Sequence, residues 1–287
     1  MQKRLGGTFN PVKHKTFVIV GLGLIGGSLA AAIRKHFRSV HVIGVSRSPK
    51  KITLAKKKRL IHEGFTHIRL AVQNADFVLI CSPVDTIPKL VSEVNRYAKP
   101  GTIVTDVGST KGEIVRWANS KRLRKIEFVG SHPLAGSHLT GLEHAKEDLF
   151  DKAFVFVTPT RKSNLRIVRT VSQFWKKLGT HVVTLSPEVH DQIVSQISHL
   201  PHAVASILMH TVSRNAIRYG ASGFKDTTRV AQGDPGLWAP IFLTNRTNLL
   251  KDLYRFEKIL RKLTTFLQKR SERPLRNFLR IASSKRN

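Results

Sequence analysis

The chain has 287 residues, 41% of them hydrophobic, which is enough to bury the core of one large domain or two ordinary ones and excludes a disordered or fibrous chain. Its 49 lysines and arginines against 18 acids give a net charge of +31. The excess runs through both halves, which fits a basic surface that draws in anionic substrates and leaves nucleic acid an unexpected partner.

The opening MQKRLGGTFNPVKHK is basic but has no apolar run behind it, so no cleaved signal peptide is expected. The apolar stretch 18–33 is too short and too rich in glycine for a membrane span, and a cytoplasmic location follows as the expectation. The single cysteine, Cys81, excludes an intramolecular disulfide and suits a reducing compartment.

In chain order, strands are predicted over 16–20, 40–45, 75–81, 102–107, 126–131, 154–159 and 181–186. These runs are almost continuously apolar, as strands covered on both faces by helices are. Helical patterns fall between them at 87–97, 112–118 and 165–178. Strand and helix in alternation predict an α/β fold with a largely parallel, doubly wound sheet.

After Pro187 no strand pattern appears. Residues 188–219 read as one or two long helices in which Pro201 forces a break or kink, followed by a glycine-containing loop at 219–226 and further helices. A boundary near 186 is expected, with a dinucleotide-binding domain over 1–186 and an all-helical domain over 187–287. A helical unit this small is expected to complete its core against a second copy.

Gly21, Gly23 and Gly26 in GLGLIG follow the first strand directly and lead into a helical pattern. In that context the spacing gives a tight turn, a close approach of backbone to a pyrophosphate, and close helix–strand packing, with Leu24 and Ile25 in the same turn. About 20 residues further on, where an acid would hold a ribose 2'-hydroxyl, the sequence has Ser46 and Arg47. A hydroxyl and a guanidinium suit a 2'-phosphate, so NADP is the expected cofactor, with NAD as the alternative.

The segments CSP (81–83), DVGSTK (106–111) and GSHPLAGSHLTG (130–141) each follow a strand, and strand ends of an open α/β sheet face the cofactor crevice. They bring Ser82 and Pro83 toward the cofactor and Ser109, Lys111 and His132 toward its reactive end. His132 suits a general base oriented by Ser109, and a structural histidine is the competing reading from spacing alone. His199 and His202 have a spacing also seen in metal sites, but no cysteine or carboxylate cluster accompanies them and no metal is expected.

The ordered motifs GLGLIGGSLA, DVGSTK, GSHPLAGSHLTGLEHA, SHLPHAVA and GFKDTTRVAQGDPGLWAPIFLTN resemble the prephenate/arogenate dehydrogenase family of tyrosine biosynthesis over nearly the whole chain. The resemblance implies a Rossmann-like domain followed by a helical dimerisation domain, with the active site in the cleft between them and a homodimer as the working unit. The implied activity is oxidative decarboxylation of prephenate or arogenate with hydride transfer to NADP or NAD. It makes His132 the group that deprotonates the substrate C4 hydroxyl, with Ser109 helping to hold that hydroxyl. Arg229 would bind the ring carboxylate and His202 the side-chain end. Ser137 falls at a pocket position, beside His138 where some relatives carry an acid.

Two departures stand out. The C-terminal regulatory domain of some relatives is not expected here, and VSRSP replaces the usual acid. Another two-domain dehydrogenase of the hydroxyacid type, which would use a lysine on its helical domain, is the nearest competing reading. A basic nucleic-acid-binding protein on a dehydrogenase fold is the more distant one.

Overall fold

A strand covered on both faces needs apolar side chains at every position, and β1 (Thr16–Val20) shows where they go. Phe17 and Ile19 join one buried cluster with Leu29, Phe37, Phe77 and Phe174. Val18 and Val20 point the other way, into a second cluster with Val78, Ile80, Val91 and Val94. The computed structural model describes residues 15–136 and 140–286.

From β1 the chain enters α1 (Leu24–His36), then β2 (His41–Val45), α2 (Pro49–Lys57), β3 (Glu63–Phe65), α3 (Ile68–Val72) and β4 (Phe77–Ile80). It continues through α4 (Ile87–Tyr97), β5 (Thr102–Asp106), α5 (Gly112–Ser120), β6 (Ile126–Pro133), β7 (Phe154–Pro159), α6 (Leu165–Lys177) and β8 (His181–Thr184). Among the described residues the eight strands form one sheet in the order β3-β2-β1-β4-β5-β6-β7-β8. Helices α1 and α6 cover one face, burying Leu29, Ile33, Phe174 and Trp175. Helices α3, α4 and α5 cover the other through Ile68, Val91 and Ile114. This is the doubly wound α/β arrangement the alternation predicts.

The sheet changes direction once. β6 pairs antiparallel with β7, whereas every other neighbouring pair is parallel. Parallel neighbours need a crossover helix, and between β6 and β7 the described residues hold only the single 3-10 turn Leu142–His144.

The described chain after β8 is helical, in line with a strandless C-terminal part: α7 (Pro187–Val194), a π-turn (Ser195–His199), α8 (Leu200–Thr211), α9 (Arg214–Ile217), α10 (Ser222–Thr228), α11 (Pro235–Thr244), α12 (Arg246–Gln268) and α13 (Glu272–Arg286). Pro201 stands in the first turn of α8, just after the π-turn. A proline has no N–H to return to the preceding turn, and a wider turn there absorbs the loss. Ser195 in that turn donates to the buried Asp252 of α12 at 2.6 Å, which ties the two helices together. No helix among the described residues is long and apolar enough to cross a membrane.

Candidate active site

The β1–α1 turn is built around three clearances. Gly21 has φ +104°, and a Cβ there would stand 2.3 Å from the Cys81 carbonyl oxygen. A Cβ on Gly26 would stand 1.9 Å from the Gly21 oxygen. Gly23 differs, because a Cβ there would meet nothing within 4 Å. Its missing side chain therefore serves no packing need within the protein. It leaves room over the N-terminus of α1, which has no side-chain cap and no acid in its first turn. Free N–H groups and the positive end of a helix dipole are what a pyrophosphate binds. Leu24 and Ile25 open that helix, and Ser82 donates to the Val20 carbonyl at 3.4 Å across the ends of β1 and β4, with Pro83 next to it.

At the end of β2, Ser46 accepts from the Ser48 amide at 3.2 Å, and Arg47 is exposed. Ser48 caps α2, whose first turn carries Lys50 and Lys51 and no acid. The β2–α2 turn thus gathers cations around a hydroxyl.

His132 lies inside β6, which runs two residues beyond the end predicted from sequence, and is 9% exposed. Its Nδ1 is 2.9 Å from Nε2 of His190 on α7. His190 Nδ1 is in turn 2.8 Å from the Asp191 carboxylate. Asp191 accepts from the backbone amides of Lys111 and Gly112, each at 2.8 Å, at the N-terminus of α5. A side chain at Gly112 would collide with that carboxylate, 2.7 Å from its Cβ position.

The donor order follows from this chain of contacts. A carboxylate only accepts, so His190 carries its proton on Nδ1 and offers the Nε2 lone pair; His132 then donates from Nδ1 and keeps Nε2 as a free acceptor. Burial, assisted by the charges of His190, Lys111 and His199, pushes His132 well below the usual histidine range. His190 is also lowered, chiefly by burial and against the pull of Asp191. The pair is therefore neutral and suited to receive one proton.

Sequence reasoning assigned the orientation of His132 to Ser109, whereas in the structure the Nδ1 partner is His190. Ser109 follows β5, beside β6, and is half-buried. The ends of these two strands are tied by Ser131, which donates to the Asp106 carbonyl at 2.6 Å. His190 and Asp191 were not singled out from the sequence, because nothing local marks them.

On the helical side, His202 is buried and stacked on Trp238, with ring centres 3.6 Å apart and planes 11° from parallel. His202 Nδ1 and His199 Nε2 are buried without a partner among the described residues. Arg229 begins a 3-10 turn and lines a cavity of about 660 Å³ with Ser206, His210, Phe224 and Gln232; neither His132 nor His202 lines it. Ser137 and His138 lie outside the described residues. Among the described residues no group of three or more His, Cys, Asp or Glu is placed to hold a metal ion.

Comparison with known proteins points the same way along the whole chain. The family model for the prephenate dehydrogenase nucleotide-binding domain matches residues 29–184, and that for the prephenate dehydrogenase dimerization domain matches 186–281. The chain is 34% identical to a prephenate dehydrogenase of Bacillus subtilis, over 95% of this chain and 75% of that protein. Among solved structures, it superposes with TM-score 0.87 and 33% identity on the prephenate dehydrogenase of A. aeolicus in complex with hydroxyphenyl propionate and NAD+, covering 95% of this chain and 97% of the other. Against an arogenate dehydrogenase of Synechocystis the TM-score is 0.79 and the identity 32%, with 94% and 98% covered.

Proposed function

The chain belongs to the prephenate dehydrogenase family, and on that premise we propose that it is an oxidoreductase that oxidatively decarboxylates prephenate, arogenate or both, using a nicotinamide cofactor. The products are 4-hydroxyphenylpyruvate and tyrosine respectively. The observation that carries this reading is the His132–His190–Asp191 chain of contacts, set at the sheet end that also holds the glycine turn.

The glycine turn and the uncapped α1 fit a dinucleotide: Gly21, Gly23, Leu24, Ile25 and Gly26 would hold its pyrophosphate, and Ser82 and Pro83 would border it. When bound, the nicotinamide supplies a hydride acceptor for the substrate C4. His132 receives the C4 hydroxyl proton at Nε2 as the hydride departs, and Asp191, through His190, steadies the charge that this proton brings. Ser109 holds the same hydroxyl. Loss of carbon dioxide from C1 then aromatises the ring, and the phenolate oxygen so formed takes a proton back, so the residues need only position the reactants and manage one proton.

Arg229 is assigned to the ring carboxylate and His202 to the substrate side chain, with Ser137 at the pocket edge. Ser46 and Arg47 favour NADP over NAD, because a guanidinium pairs with a 2'-phosphate and no acid stands at the end of β2 to repel it. The enzyme works as a homodimer joined through its helical domain, where Tyr254, Leu260, Leu267 and Leu279 are exposed. A cytoplasmic location is the reading we keep for it, on the basic N-terminal segment without an apolar run behind it.

The test is to follow nicotinamide reduction by absorbance with each of the two substrates crossed against each of the two cofactors. Turnover in at least one combination, and faster with NADP, is the expected result. Silence in all four overturns the activity.

A further inference from the structure

Lys111 is a fully buried cation to which the mechanism above gives no part. Its ammonium contacts the carboxylate of Asp106, and both side chains are 0% exposed. The stem reaches this place through a slot. A Cβ on Gly130 would come within 3.3 Å of Lys111 Cδ, and one on Gly108 within 3.2 Å of Nζ, so both glycines keep the passage open. Asp106 is held on two further sides: it accepts from the Gly108 amide at 2.9 Å and the Ser131 amide at 3.2 Å. The pair therefore sits between the loop that carries Ser109 and the strand that carries His132. A buried ion pair adds little to stability compared with apolar side chains of the same volume, so its retention here calls for another role.

We propose that Lys111 is a positioning residue of this site: its buried ammonium opposes a second cation on the neighbouring imidazoles, and so reserves the free nitrogen of His132 for the substrate proton. The groups around that imidazole are few. Helix α7 presents His190 and Asp191, the start of α5 presents Lys111, the end of β5 presents Asp106, and the π-turn presents His199. Lys111 lowers both imidazoles, while Asp106 raises His190. The slot that holds Lys111 runs past Gly130, two residues before His132 on β6. Its backbone amide, which holds Asp191, is untouched by changes to the side chain.

The proposal rests on His132 being the base, but its test reads the imidazole directly. Selectively 15N-labelled histidine is followed by NMR against pH in the full chain, in Lys111→Met and in the charge-balanced Asp106→Asn/Lys111→Met. The double variant replaces the pair with uncharged side chains and guards against a fold lost to an unpaired buried carboxylate.

Removal of a nearby like charge is expected to raise the His132 midpoint by about one pH unit in either folded variant. The acid limb of kcat/KM should move with it. A midpoint unmoved in a folded variant overturns the proposal, even if activity falls, because Lys111 is then only structural. A midpoint that moves while the acid limb stays put also overturns it, together with the role of His132 as base: Lys111 then shifts an imidazole that takes no substrate proton.

Discussion

The rings of His132 and His190 meet edge to face, their planes 64° apart, with Nδ1 of the first 2.9 Å from Nε2 of the second. This contact, together with the Asp191 carboxylate behind it, settles which nitrogen of His132 is free. It also gives the proposed mechanism its most specific consequences.

Replacing His132 by Asn should lower kcat by about 100-fold or more, the range for losing a general base, while leaving cofactor affinity unchanged. Steady-state kinetics beside a fluorescence titration of the reduced cofactor check both halves. An active His132→Asn enzyme would return this histidine to a structural role.

Asp191→Asn tests the donor order. An amide nitrogen facing His190 reverses the hydrogen bonds, and kcat should fall by about 100-fold or more. Because the same carboxylate caps α5, a loss of about 1 kcal/mol in stability is expected too. A variant destabilised to this degree but fully active would show that the carboxylate serves the helix alone.

Stability should fall on the acid side. Burial lowers His199 to about 4, and His132 and His190 are lowered as well. Groups depressed in the folded state contribute stability that is present above the unfolded histidine value near 6.5 and lost as pH falls toward the folded value; for His199 alone this is about 3 kcal/mol. Thermal unfolding between pH 7.5 and 4.5 should show the decline, with a shallower slope in His199→Gln. Equal slopes would remove His199 from the account.

Gly23 and Gly26 should behave differently when each is changed to Ala. With open space at residue 23 and the Gly21 oxygen 1.9 Å from a Cβ at residue 26, only Gly26→Ala should damage the fold. Gly23→Ala should keep its unfolding temperature within a few degrees and still lose about tenfold or more in cofactor affinity, the cost of roughly 1.4 kcal/mol of displaced phosphate contact. Retained affinity would mean that the pyrophosphate lies elsewhere.

Arg47→Ala should raise KM for NADP by about tenfold or more, as loss of a charge-assisted hydrogen bond does, with little effect on NAD. Equal effects on the two cofactors would leave Arg47 a general surface cation.

What could be read from sequence follows from how local each signal is. The strand 16–20 and the helix 87–97 were legible to the residue, since one is bounded by polar and glycine positions and the other by Pro88 near its start and Pro100 after its end. The three-residue β3, Glu-Gly-Phe, escaped because it is too short for a periodic pattern and begins on an acid. The reversal at β7 escaped as well, because strand direction depends on the path of the connection and not on the residues of the strand.

The site divides along the same line. Glycine spacing and strand ends pointed to Gly21, Ser109 and His132. His190 and Asp191 lie 58 and 59 residues beyond His132 and reach it only through the docking of α7 on α5 and β7. No window of sequence contains that contact.

The π-turn at Ser195–His199 sets the angular phase of everything after it. On an unbroken α-helix, residues nine apart such as His190 and His199 would point roughly 180° from each other. Here the Asn245 side chain reaches both the Asp191 carbonyl, at 2.7 Å, and His199 Nδ1, at 3.2 Å. The wider turn works like a vernier, shifting the phase of the helix so that His199 comes near enough to His190 for the two imidazoles to bear on each other. Deleting one residue there would leave Pro201 unaccommodated inside an unbroken helix and α8 indexed wrongly.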